Sequence, residues 1–460
     1  MPVPTEEEHS HNNHDFFEQF PENFKWGSTS SATQIEGAWN IDGRTMSWWD
    51  SSSRKGSTTL DQSPPEEGAD SYNKFTEDVL LLKNMNATCY KFSLSWSRLL
   101  PDGTTHKVNK AGVDYYSNLI DTLLKNGIEP IIVLYHWDFP QELFERHPLN
   151  WMDKNVIKAF GNYAQFCFKT FGSRVKRWIA IHDPWKHSEC GFGSGVHPPN
   201  VQGWKKGTPL KVFKNLLKAH SIAYRIYNKE FRRRQGGSVG ISINSKCIST
   251  SERHFCKDEI AVPDFASCTE LRTNFNPNAS ADYGSICWEE IKQTCADFVD
   301  LTNEDLHSEL TLAEIRGTGS LAQKRNSLPN LNNTRVVLNT IKTDLNNPEV
   351  LLCGKGYPLI GAEITSLVDL KRTQYFKALS SEILKAVILD KCNVVGFLPG
   401  TLIDSWEWEN GFTISYGLHQ VKFDNPLKHR IQRLSAKYLT KLFDMHGFSK
   451  HWDIHSVEML

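Results

Sequence analysis

Short β-branched or aromatic runs alternate with amphipathic stretches along this chain, and that alternation most limits the folds open to it. Eight runs read as strands: FKWGSTSSATQIEG (24–37), NATCYKFSLSWSRLL (86–100), IEPIIVLYHWDFP (128–140), VKRWIAIHDPW (175–185), SVGISINS (238–245), TCADFVDLT (294–302), GYPLIGAEIT (356–365) and VVGFLPGTLIDSW (394–406). Helical periodicity fills the spaces in DYYSNLIDTLLKNG (114–127), VIKAFGNYAQFCFKTFG (156–172), VFKNLLKAHSIAYRIYNKEF (212–231) and TQYFKALSSEILKAVILDK (373–391). Eight strands interleaved with helices predict a (β/α)8 barrel, a fold that runs to this length as one unit. No repeat, charge block or Gly/Ser linker divides the 460 residues. The predicted organisation is a flexible tail over 1–19 and a single barrel over 20–460, with a shortened, cysteine-rich region at 246–350.

A barrel gathers the residues at the C-terminal ends of its strands into one crater. Read at those ends, the sequence offers Gln34, Lys91, His136, His182 with Asp183, Glu363, and Glu407 with Trp408. Singly, each is a polar loop residue of the ordinary kind. At equivalent points of a repeating pattern they make a crater of carboxylates, imidazoles and an indole. Acid/base chemistry on a sugar uses such groups, with carboxylates to carry protons or attack and aromatic faces to lie against C–H groups.

Composition narrows the alternatives. Lys and Arg number 52 against 53 Asp and Glu, a net charge of -1, which gives no electrostatic case for nucleic acid or an anionic membrane. Mean hydropathy is -0.46 and no apolar run approaches twenty residues, so no membrane span is predicted. The first nineteen residues lack a basic start followed by an apolar stretch, so no signal peptide is visible and both secretion and the cytosol stay open. Cys247, Cys256, Cys268, Cys287 and Cys295 cluster without paired C-x-x-C spacing, which leaves disulfides or free thiols rather than zinc. Sequons stand at Asn86, Asn278 and Asn332. His187, His197 and His220 lack metal-ligand spacing, and the Gly-rich GFGSGVHPPN (191–200) lacks the strand and helix that a phosphate loop needs. Neither metal nor cofactor is expected, the predicted partner is a small-molecule ligand, and the oligomeric state is open. Of the 14 Trp, Trp26, Trp48, Trp49, Trp96 and Trp178 fall in framework segments and are predicted core, whereas Trp408 is predicted to face a ligand.

The segments FPENFKWGSTSSATQIEGAWNIDGR, YKFSLSWSRLLPDGT, GVDYYSNLIDTLLKNGIEPIIVLYHWDFPQEL, KNLLKAH and DSWEWENGFTISYGLHQVKFDNP resemble glycoside hydrolase family 1, the β-glucosidase family that includes lactase, myrosinase and the klotho proteins. The resemblance covers about 20–245 and 350–445. It implies a (β/α)8 barrel and a retaining double displacement, in which a glutamic acid ending the fourth strand protonates the leaving oxygen and a glutamate ending the seventh attacks the anomeric carbon. Carried across, it implies that Gln34 binds glycone hydroxyls, that His136 is the third-strand histidine, that Glu363 is the nucleophile, and that Glu407 and Trp408 bond to and stack on the sugar.

Other positions depart from the family pattern. Where T-x-N-E-P is usual the chain reads Ala180, Ile181, His182, Asp183, Pro184, so the acid/base glutamate is an aspartate and the asparagine for the 2-hydroxyl is a histidine. The usual I-T-E-N-G is aligned with Gly361, Ala362, Glu363, Ile364, Thr365. Lys91 replaces an arginine, Glu304 is aligned near an expected tyrosine, and Gly400 replaces a tryptophan platform. Asp183 is one methylene short, so its carboxyl falls roughly 1.5 Å from where a glutamate would reach. Gly361, Ala362 and Gly400 in place of bulkier groups, and Ile364 in place of a polar one, predict a wider, more apolar pocket floor. Three readings follow: a repurposed or restricted enzyme using Glu363, Asp183 and His182; a non-catalytic glycosidase-like binding protein of the klotho kind; and an ordinary β-glucosidase with Asp183 as its acid.

Overall fold

The computed structural model of the chain describes residues 18–448 apart from 57–58, 204–205, 246–310, 316–331 and 345. Its centre is a closed parallel barrel of eight strands in sequence order. These are β1 (Lys25–Thr29), β2 (Cys89–Ser93), β3 (Glu129–Tyr135), β4 (Arg177–His182), β5 (Ser238–Ser245), β6 (Thr311–Ile315), β7 (Val350–Lys355) and β8 (Val394–Gly400). Closure comes from β8 pairing with both β7 and β1, for instance Leu352 with Phe397 and Trp26 with Phe397.

Period-two alternation explains why these runs form a barrel rather than helices. Cys89, Ile131, Val133, Ile179, Leu351, Cys353 and Leu398 pack together in one buried cluster inside the barrel. Their strand neighbours Tyr90, Phe92, Ile132, Leu134, Leu352 and Phe397 join the larger core beneath the helices. Both faces are dry, as expected for a parallel sheet covered by helices. The helices Lys110–Lys125, Asn155–Phe171, Thr208–Ile226 and Leu370–Ile388 occupy the amphipathic stretches read from sequence. Trp26, Trp48, Trp49, Trp96 and Trp178 are all buried.

Two strands sit elsewhere than the sequence predicts. The sixth is Thr311–Ile315, while TCADFVDLT (294–302) lies outside the described residues, as do Glu304 and the five clustered cysteines. The seventh is VLLCGK, residues 350–355, and not GYPLIGAEIT. Pro358 lacks the N–H that a central strand must donate, and Gly361 takes φ 59°, which ends extended structure. Segment 356–365 therefore contributes only Leu359–Ile360, paired antiparallel with Ile414–Ser415, and a 3-10 turn over Gly361–Thr365.

Buried ion pairs tie this outer ribbon to the barrel. Arg433 spans Asp404 through two bonds of 2.7 and 2.8 Å, and donates to the carbonyls of Gly417 (2.7 Å) and Ile364 (2.7 Å). Arg372 donates to Ser415 and Gly417 carbonyls, both at 2.6 Å. Arg433 is fully buried, so Arg433→Leu strands the Asp404 carboxylate without its counter-charge. That variant is expected to lose about 3–5 kcal/mol in urea unfolding, and a loss below about 1 kcal/mol, typical of an exposed pair, would contradict this role.

Candidate functional site

The mouth at the C-terminal end of the barrel is assembled from segments that leave β1, β3, β4 and β8. Lys91 lies on β2, two residues after the inward-facing Cys89, and so points into the barrel. Its Nζ is 3.4 Å from His182 Nδ1 at the end of β4, and both residues are buried. An ammonium only donates, so in this contact Nδ1 is the acceptor. The His136 ring lies on His182 with centroids 3.8 Å apart. The Trp137 indole donates to the His182 carbonyl at 2.8 Å, which fixes the end of the strand.

Asp183 stands at the start of a helix. It adopts φ 38° and caps the helix Pro184–Phe192, its Oδ1 accepting from Lys186 N at 3.1 Å. Its other oxygen is buried and has no hydrogen-bond partner among the described residues. An aspartate at a helix start satisfies one of the free N–H groups there, and the Pro184 that follows suits the first helical position.

Gln34 sits in the short helix Ala32–Ile35 after β1, and its amide is used internally: it accepts from Ser31 Oγ (2.9 Å) and donates to Trp406 O (2.9 Å). Glu407 is buried and accepts from Ser405 Oγ at 2.7 Å. Trp408 takes φ 54° and is 3% exposed, packed against Trp137 (4.9 Å), Trp49 (5.1 Å), His136 (5.3 Å) and Trp406 (5.9 Å). The structure thus brings Gln34, Lys91, His136, His182, Asp183, Glu407 and Trp408 to the barrel mouth.

Glu363 is not among them. It stands in the surface turn Gly361–Thr365, its side chain 46% exposed and 3.3 Å from Lys371 Nζ. The position that ends the seventh strand is held by Cys353, Gly354 and Lys355, opposite Leu398, Pro399 and Gly400 of β8. Placement of Glu363 from sequence followed the apparent strand at 356–365, and the shift of β7 moves it out of the crater. The predicted wider floor also changes. Gly361, Ala362 and Ile364 belong to that surface turn, and a Cβ on Gly400 would meet Thr29 Oγ1 at 2.2 Å. The space beside Gly400 is taken by the neighbouring strand.

Sequence reading named His187, His197 and His220 but passed over Glu409, Lys186 and Asp138. Glu409 accepts from His197 Nε2 at 2.8 Å and lies 3.8 Å from Lys186 Nζ. Burial alone would raise its pKa, but the Lys186 ammonium and the His197 bond hold it well below the usual carboxylate range. Asp138, in the H-W-D-F-P stretch after β3, has its carboxyl pushed up to about 8, mainly by desolvation. His187 is pushed down to about 3 by burial and by His197, and His220 to about 4 by burial, so both are neutral. Their burial in side-chain packing was the only available signal, and it depends on tertiary contacts. Among the described residues, no three His, Cys, Asp or Glu side chains converge as a metal site, and no helix is long and apolar enough to cross a membrane.

The sequence model of glycosyl hydrolase family 1 matches residues 16–314 and 318–448. The human cytosolic beta-glucosidase is 30% identical, with 94% of this chain and 99% of that protein covered. Rat lactase/phlorizin hydrolase is 32% identical over 93% of this chain, which spans only 24% of that protein, and mouse beta-klotho is 34% identical over 94% of this chain and 41% of its own length. Among solved structures, an aphid myrosinase aligns with a TM-score of 0.77 at 26% identity, covering 93% of this chain and all of that one. A family 1 β-glucosidase from Thermotoga maritima aligns at 0.76 with 25% identity, covering 94% of this chain and 100% of its own. Strand order and matches across nearly the whole length agree, and the chain belongs to glycosyl hydrolase family 1.

Proposed function

We propose that this chain is a binding member of the family: a glycosidase barrel that receives a sugar-like ligand at its mouth without performing the retaining double displacement. The observation that carries the reading is the end of β7. Retention of configuration requires a carboxylate close enough to attack the anomeric carbon, about 5–5.5 Å from the proton donor. The strand that should present it ends in Cys353, Gly354 and Lys355, and Glu363 lies on the surface paired with Lys371. A glycine has no side chain with which to form a glycosyl intermediate.

The proton donor supports the same reading. Asp183 is both shorter than glutamate and engaged at the start of a helix. An acid that has become a cap stabilises the fold, and freeing it for proton transfer would cost that cap. The groups that remain, the imidazole of His136, the Trp408 ring and the Glu407 carboxylate, are suited to contact with a pyranose ring and its hydroxyls. Membership alone does not decide the matter, since the similar proteins include both beta-glucosidases and beta-klotho.

A dinitrophenyl β-glucoside tests the point, because its leaving group departs without protonation and so needs only the nucleophile. The expected result is a rate equal to the buffer blank for the wild type and for Asp183→Glu alike. Turnover by either protein would overturn the reading. The capping role predicts a separate pattern in stability. Asp183→Ala is expected to lower the unfolding free energy by about 0.5–2 kcal/mol, while Asp183→Asn stays within a few tenths of the wild type. Equal stability of all three would remove the cap from the argument.

A further inference from the structure

A cavity of about 20 Å³ lies among the turn that follows β1, the strand β2 and the helices Ser71–Asn84 and Lys110–Lys125. Its walls include Ser30, Glu36, Ser71, Asp78, Tyr90 and Ser93, each at most 5% exposed. That polarity separates it from a packing defect, because apolar cavities stay dry and polar ones hold water. The hydrogen bonding of the walls is also incomplete in a specific way. Ser71 Oγ is buried and makes no hydrogen bond of ordinary distance and angle, although it lies near enough to Asp78 to favour that carboxylate's charged form. Ser30 Oγ and Tyr90 OH bond to each other, which uses one of their two O–H donors and leaves the second. Acceptors are at hand. Asp78 accepts from Arg430 Nε at 2.9 Å, and Glu36 accepts from Arg98 Nε at 2.9 Å and Tyr116 OH at 2.6 Å, while each carboxylate offers about four lone-pair sites.

We infer that this cavity is a binding site for one internal water molecule, which joins Ser71 and Asp78 of the helix to the Ser30–Tyr90 hydroxyl pair on the barrel wall. Size sets the number: a water needs at least about 10–15 Å³ of such space, so the cavity holds one and not two. Hydrogen-bond bookkeeping sets its partners. One water accepts from the second O–H of the Ser30–Tyr90 pair, donates to Asp78 and exchanges a bond with Ser71 Oγ, which reaches the roughly three bonds usual for a buried water. Leaving the Ser71 hydroxyl unsatisfied would be destabilising, and the water removes that cost. Charge decides the species. Arg98 and Arg430 already neutralise Glu36 and Asp78, so a metal cation gains no unpaired carboxylate, and an anion would meet two like charges. The location gives the site a consequence. From Ser30 the chain runs into the short helix Ala32–Ile35 that carries Gln34, so the water ties the helix Ser71–Asn84 to the start of the segment that brings Gln34 to the mouth. The site holds whether the mouth binds a sugar or hydrolyses one.

The test is a high-resolution crystal structure of the full chain, with a second crystal soaked in thallium(I) acetate, whose cation takes monovalent metal sites and scatters anomalously. One ordered water is expected within about 3.2 Å of Ser71 Oγ and of an Asp78 carboxylate oxygen, with no thallium peak beside it. A cavity without density, or a thallium peak inside it, would overturn the inference. In solution, oxygen-17 relaxation dispersion counts the water molecules held for longer than the protein takes to tumble. Ser71→Val removes the hydroxyl and places methyl groups against the cavity, so this variant is expected to hold one long-lived water fewer than the wild type. An undiminished count in folded Ser71→Val would also overturn the inference. If that variant fails to fold, the crystallographic comparison decides by itself.

Discussion

The register of β7 against β8 determines what faces the mouth of this barrel. Cys353 lies opposite Leu398, Gly354 opposite Pro399, and Lys355 opposite Gly400. Strand side chains alternate with a period of two, so a slip of one residue would exchange the inner and outer sets and expel Leu351 and Cys353 from the interior cluster. The packing of those two residues against Ile131, Val133, Ile179 and Leu398 therefore fixes Gly354 opposite Pro399 at the end of β7. Core packing and the residues that end β7 are two consequences of one alignment.

Polar groups at the mouth make structural contacts. Gln34 bridges Ser31 and the Trp406 carbonyl, Asp183 caps a helix, and Glu407 accepts from Ser405. The indoles of Trp49, Trp137, Trp406 and Trp408 pack on one another and on His136 and His197, so much of the aromatic wealth of the chain lies in one cluster at the mouth. Glu409 joins this cluster to the loop after β4 through His197 and Lys186. The network holds the segments following β3, β4 and β8 to one another by contacts that the double displacement itself does not require.

Much of this was legible in sequence. Alternation of short strands with amphipathic helices gave the barrel, and a two-residue period placed Lys91 on its inner side, because both signals are local. The seventh strand was not legible for a physical reason: VLLCGK is a short apolar run that reads equally as a buried helix turn, while GYPLIGAEIT nearby is longer and ends on a glutamate. Only the ladder to β8 distinguishes them, and that pairing joins segments some forty residues apart in sequence. The rim cluster of His197, Lys186 and Glu409 was hidden for the same cause, since 212 residues separate His197 from Glu409. Resemblance to a family located the mouth; the placement of each carboxylate required the register.

The proposed binding role requires that no carboxylate of this chain attack an anomeric carbon. It is tested most directly by incubating the protein with an activated 2-fluoro glycoside, which traps a glycosyl-enzyme intermediate, and measuring the intact mass. The account predicts an unchanged mass at every incubation time. A mass increase of one 2-fluoroglycosyl group, mapped by peptide digestion to Glu363 or to any other carboxylate, would contradict it.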